Sequence, residues 1–167
     1  MSPNASFDIS TGADLQEVDN AVNQALKEVA QRYDFRGSTC TIEFDRKAAT
    51  IGLEADDEFR MKALSEVLRT KLVRRQVPVQ NLKEGDSEPA AGGRVRRLIT
   101  LQQGIPDDTA RRIVKDVKAG GFKKAQIAIQ GDELRVTSPS RDVLQEVIAF
   151  LREQDYGIEL QFGNYRS

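Results

Sequence analysis

Residues 32–37, RYDFRG, set two arginines and two aromatic rings beside a glycine, where a long helical pattern runs out. A guanidinium forks onto phosphate oxygens and a ring stacks on a base, so this loop holds the residue types a nucleotide site needs. Phe35, Arg36 and Gly37 are its candidate ligand-binding residues. The same hexapeptide also has a structural reading, the favoured one, because large rings pack more often than they bind. In that reading Tyr33 and Phe35 cap the core and Gly37 makes the turn. Two further cations are candidates, Arg96 and Arg135, each on the outward side of an alternating segment. Of the basic clusters, residues 69–75 (RTKLVRR) suit a helix C-terminus with a solvated face. Residues 94–97 (RVRR) suit either phosphate contacts or the guarding of an exposed strand edge.

The chain has no histidine and one cysteine, Cys40, in 167 residues. No Ser-His-Asp or Cys-His arrangement can be assembled, and a zinc or iron–sulfur site lacks its ligands. No acid–base pair can be placed either, so the expectation is a non-enzymatic protein with no cofactor and no metal. Asp56, Asp57, Glu58, Asp107 and Asp108 fit first helical turns better than a cation site. No GxxxxGK[ST] or GxGxxG phosphate loop occurs. With 25 basic against 26 acidic residues, bulk charge does not hold this chain to nucleic acid. No apolar run approaches the ~20 residues of a membrane span, and residues 1–5 do not read as a secretion signal. A cytoplasmic, membrane-free protein with a reduced Cys40 is expected.

The elements that must position these residues repeat. Ala125–Gln130, a Gly131-Asp132 turn, an alternating segment from Leu134, a Ser-Pro-Ser break and an amphipathic helix follow one another in the second half. The first half holds the same series, with Ile51 equivalent to Leu134, Leu53 to Val136, Leu64 to Val147 and Leu68 to Leu151. Before each series comes a short alternating strand, a break and a helix. One is residues 6–10 followed by Leu15, Val18, Val22 and Val29 at helical spacing. The other is residues 95–102 followed by Ala110, Ile113, Val114 and Val117. A last strand is expected over residues 158–162. The order is β-α-β-β-α-β, twice.

This pattern predicts an α+β fold, a tandem of two ferredoxin-like (RNP-like) βαββαβ domains. Each is a four-stranded antiparallel sheet with two helices on one face. The domains are expected at 1–85 and 90–167, joined by the linker-like residues 83–93, KEGDSEPAAGG. The two terminal strands are short and open to exchange between domains. With sequential domains, the first open face carries Asp8, Thr41, Glu43, Gly52 and Glu54 and is acidic. The second carries Arg96, Gln126, Gln130, Arg135, Thr137 and Gln161, with Tyr165 a further candidate, and is basic and amide-rich. The central strands lack the aromatics on which an RNA-recognition module stacks bases.

The stretches SFDIS, DLQEVDNAVNQA, RYDFRGS, DEFRMKAL, PAAGG, QGI, AQIAIQGDELRVTSPSRDVLQEVIAFLRE and LQFGNYR resemble, in order and spacing, the bacterial YajQ family. The resemblance covers essentially the whole chain. It implies the same tandem of RNP-like domains and a cytosolic nucleotide-binding protein. The nucleotide partners it implies are cyclic di-GMP, GTP or ATP, the first acting through a transcription regulator. The alternatives are a tRNA-binding module and a protein-interaction adaptor. The family has no agreed catalytic residues, so none are carried over.

Overall fold

The computed structural model describes residues 4–167. Residues 1–3, part of the segment read for a leader, lie outside the described residues. The elements are β1 (Ala5–Ser10), α1 (Leu15–Gln31), β2 (Thr41–Asp45), β3 (Thr50–Ala55), α2 (Glu58–Arg74), β4 (Leu82–Glu84) and β5 (Glu88–Pro89). Then come β6 (Val95–Leu101), α3 (Asp107–Ala119), β7 (Gln126–Gln130), β8 (Glu133–Ser138), α4 (Arg141–Arg152) and β9 (Gln161–Arg166). Helix starts follow local chemistry. Asp14 accepts from the Gln16 amide, Asp57 from the Arg60 amide at 2.8 Å, and Ser140 from the Val143 amide. Each satisfies an orphan donor of the first turn. Asp107 and Asp108 sit in the first turn of α3, where the helix dipole favours carboxylates.

Two antiparallel sheets form, in the orders β7-β8-β1-β9 and β2-β3-β6-β4, with β5 also pairing β6. The chain divides into two compact units. A continuous unit spans Gly12–Gln103; a split unit takes the chain up to Thr11 together with Gly104–Ser167. In the split unit the series β1, α3, β7, β8, α4, β9 is a complete βαββαβ set in the ferredoxin-like strand order. In the continuous unit β6 holds the place that β1 holds in the other. The same fold therefore appears with its leading strand moved to the end. Each leading strand runs on into a helix of the other unit.

This corrects the boundaries 1–85 and 90–167. The strand at 95–101 pairs with β3 from Thr50↔Thr100 to Ala55↔Val95, and β1 pairs with β8 from Ala5↔Ser138 to Ile9↔Leu134. Residues 83–93 are not a linker. They supply β4, β5 and a short 3-10 turn, and β4 closes the sheet against β6. The last ladder is Gln161–Arg166 rather than 158–162; Ile158 is buried in the core without joining it.

The two cores are separate. The continuous unit buries Val18, Val22, Ile51, Leu53, Leu64, Leu68 and Ile99 between its sheet and α1 and α2. The split unit buries Phe7, Ile9, Ile113, Leu134, Val136, Val147 and Leu151 beneath α3 and α4. All four equivalences read from the repeat fall at buried positions. Phe7, fully buried, meets the Phe162 ring edge-on at 6.0 Å.

Candidate functional site

Exchange of the leading strands redistributes charge. Arg96 lies on the open face of the continuous unit, opposite Glu54 in the ladder, with its Nε 3.5 Å from a Glu88 carboxylate oxygen. Arg135 lies on the open face of the split unit, beside Asp8. Its Nε donates to Asp8 Oδ1 at 2.8 Å and its Nη2 to Oδ2 at 3.3 Å. The Arg135 hydrogen bond holds the Asp8 carboxyl below the usual aspartate range, helped by Asn164 against the opposing effect of burial. The expected contrast of an acidic first face and a basic second face is therefore reduced: the first keeps an excess of carboxylates, and on the second Asp8 offsets Arg135. Trading β1 for β6 places a carboxylate beside each arginine.

The continuous unit's open face forms a cleft of about 710 Å³. Its floor is the Glu43–Gly52–Leu98 row, where Gly52 carries no side chain and Leu98 is 52% exposed. Glu43, Glu54, Glu84, Asp86 and Glu88 line it with Lys83, Arg96 and Arg97. With carboxylates outnumbering cations, this cleft is a poor receptor for phosphate.

A second hollow, about 660 Å³, opens where α1 ends. Helix α1 stops because Arg32 leaves helical geometry, its amide still closing onto the Glu28 carbonyl, and Tyr33–Phe35 then make one 3-10 turn. That turn sorts the two rings. Phe35 points inward and is 4% exposed; Tyr33 points outward and is 84% exposed. Gly37 follows at φ 76°, in the left-handed region that suits glycine, with open space where a side chain would stand. The Ser38 hydroxyl donates to the Phe35 carbonyl at 2.6 Å and pins the turn.

The two loop arginines differ. Arg32 is occupied: it donates to Asp34 at 2.9 and 2.6 Å and reaches Glu28 at 3.5 Å. These bonds hold the Asp34 carboxyl below its usual range, the Arg32 hydrogen bond acting most. Arg36 makes no ion pair among the described residues. Its guanidinium carbon stands 5.8 Å from the centroid of the Tyr33 ring. The loop thus presents an exposed ring, an uncommitted guanidinium and a backbone bare at Gly37. Such a set can take a planar group on the ring and an anion on the cation.

Of the five candidates, Phe35, Arg36 and Gly37 lie together here. Phe35 acts from beneath, as a packing residue. Arg96 and Arg135 lie on the open sheets of different units. Tyr33, named in the sequence reading only as a packing ring, is the most exposed aromatic of the loop. A 3-10 turn directs successive side chains to different sides, and nothing in the hexapeptide shows which ring takes which. Among the described residues no group of three or more His, Cys, Asp or Glu is placed to hold a metal. No helix among them is long and apolar enough to cross a membrane.

A family model described as nucleotide-binding protein YajQ-like matches residues 5–166. The chain belongs to the YajQ-like family. It is similar to proteins named nucleotide-binding protein from three bacteria. The Koribacter versatilis protein is 48% identical over 162 residues, 97% of each chain. The Carboxydothermus hydrogenoformans protein is 48% identical over 166 residues, 99% of this chain and 100% of the other. The Magnetococcus marinus protein is 49% identical over 161 residues, 96% of this chain and 98% of the other.

Proposed function

We propose that this YajQ-like protein binds a nucleotide, without turning it over, at the 32–37 loop of the continuous unit. The observation that carries the reading is the Tyr33–Arg36 pair, an exposed ring with an unneutralised guanidinium beside it. The base stacks on Tyr33 and a phosphate is held by Arg36, with room at Gly37 for close approach of the ligand to the backbone. Relatives sharing almost half their residues carry names that state nucleotide binding, which supports the ligand class. Within that class the cyclic dinucleotide cyclic di-GMP is the first candidate and GTP and ATP the next. An effector role would pass the signal to a protein partner such as a transcription regulator, in the cytoplasm. The tRNA reading has less support: the central strands offer Gly52, Glu54, Arg96 and Leu98 in one unit and Asp8, Arg135 and Thr137 in the other, and no ring for a base.

Calorimetric titration of the whole chain with cyclic di-GMP, GTP and ATP tests the proposal, with Tyr33→Ala and Arg36→Ala alongside. Base–aromatic stacking of about 1–3 kcal/mol predicts a loss of roughly 5- to 150-fold in affinity for Tyr33→Ala. Arg36→Ala should weaken binding by about tenfold or more and flatten its salt dependence. Both side chains are at the surface, so neither substitution should move the melting temperature. Binding that survives both changes, or no binding by any of the three nucleotides, would overturn the site.

A further inference from the structure

Each sheet has two outer edges, and three of the four are blunted. In the continuous unit, β2 carries Glu43 and Asp45, and β4 is three residues long with Lys83 and Glu84. In the split unit, β9 is irregular. Its register against β1 shifts between Ser6 and Asp8, Asn164 has φ 52°, and Arg166 ends it. Charge, shortness and bulging are the usual defences of an edge. The fourth edge, β7, has none of them. It is Gln-Ile-Ala-Ile-Gln, without charge, proline, glycine or bulge, and pairs in unbroken register with β8 alone. Ile129 on this strand is 43% exposed.

The five residues of β7 read the same in both directions. Laid antiparallel against itself about Ala128, the strand sets Gln126 opposite Gln130, Ile127 opposite Ile129, and Ala128 opposite Ala128. The hydrogen-bonding phase agrees. A two-residue Gly131-Asp132 loop, with Gly131 at φ 62°, closes on the Gln130–Glu133 pair. Alternation then directs the N–H and C=O groups of Ile127 and Ile129 away from β8, toward the outer edge. Two-fold pairing about Ala128 joins those groups in four bonds.

We propose that β7 is a self-association edge, on which a second copy of this chain adds antiparallel about Ala128 to make one eight-stranded sheet from two split units. Such an interface is isologous and closes at two copies. The pairing is independent of the 32–37 loop, which lies in the continuous unit.

The test uses the whole chain in sedimentation velocity across micromolar to millimolar concentration. The wild type should pass from the mass of one chain to that of two. Hydrogen exchange at the Ile127 and Ile129 amides should slow by at least tenfold in the dimer. Ala128 is exposed, so Ala128→Glu and Ala128→Lys leave the unit's core intact, which an unchanged melting temperature of the monomer checks. Each variant alone sets like charges on the two-fold axis and should stay monomeric, while an equimolar mixture of the two should dimerise. A wild type that stays monomeric throughout overturns the proposal. So does a dimer that both variants form unaided, since its interface must then lie elsewhere.

Discussion

Replacing Phe7 with alanine should destabilise the end of the chain rather than its own neighbourhood in sequence. Phe7 is fully buried in β1, opposite Val136 of β8, with the Phe162 ring of β9 at 6.0 Å and that of Tyr165 at 6.3 Å. Truncation of a buried phenylalanine costs about 3–5 kcal/mol, including the cavity it leaves. Loss of the edge-on contact with Phe162 accounts for roughly 0.5–1.5 kcal/mol of pairing energy beyond burial. The expected cost is therefore about 4 kcal/mol. A domain of this size holds roughly 4–11 kcal/mol in all, so the split unit should keep only about 0–7 kcal/mol and open far more readily than the wild type. Native-state hydrogen exchange resolves where the loss falls. Amides of β8 and β9 should lose protection, while those of β2, β3 and β6 keep theirs. Ile99→Ala in β6 is the mirror experiment and should loosen the continuous unit alone. If Phe7→Ala instead strips protection from β2 and β3, the exchange of leading strands is wrong.

Three other outcomes are expected. Asp8 has its carboxyl pK lowered in the folded protein by Arg135, so its contribution is complete above the unfolded value near 3.8 and is lost as pH falls through the lower folded value. Asp8→Asn should flatten that acid limb in pH-dependent unfolding by urea and leave the neutral limb parallel to the wild type. Gly104 sits at φ 80°, and an added Cβ would lie 2.8 Å from Asp132 Cβ. Left-handed strain together with displacement of the Asp132 turn makes Gly104→Ala destabilising by about 2–3 kcal/mol in chemical denaturation. Asn81 is fully buried and its Nδ2 donates to the Gln102 carbonyl at 2.8 Å. Asn81→Ala should cost about 1–3 kcal/mol, read as a lower melting temperature.

The repeat was legible because burial leaves a periodic trace. Ile51 and Leu134, or Leu64 and Val147, occupy equal places in two equal units and had to be apolar in both. Which sheet a strand enters leaves no such trace. Phe7 and Ile9 alternate as Ile99 and Leu101 do, each strand is followed by a glycine and a helix, and either would fit either core. Alternation also reports burial rather than pairing, so Ile158 looked like part of the last strand although it packs outside the ladder. Residues 83–93 looked like a linker because a short charged edge strand has a linker's composition. At the candidate site the residue types were readable and their directions were not. The strand exchange also misled the electrostatics, because the partner of Arg135 is 127 positions away in Asp8.

Strand β1 has a further consequence during synthesis. It lies in the middle of its sheet, between β8 and β9, yet leaves the ribosome some 120 residues before either neighbour is made. At 5–20 residues per second, Phe7 and Ile9 wait roughly 6–24 s before β8 is made. The continuous unit, whose strands all lie between Gly12 and Gln103, can close meanwhile. The nascent chain therefore carries a finished domain preceded by a bare sticky ribbon, which is the form in which chaperones or a neighbouring nascent copy would first meet it.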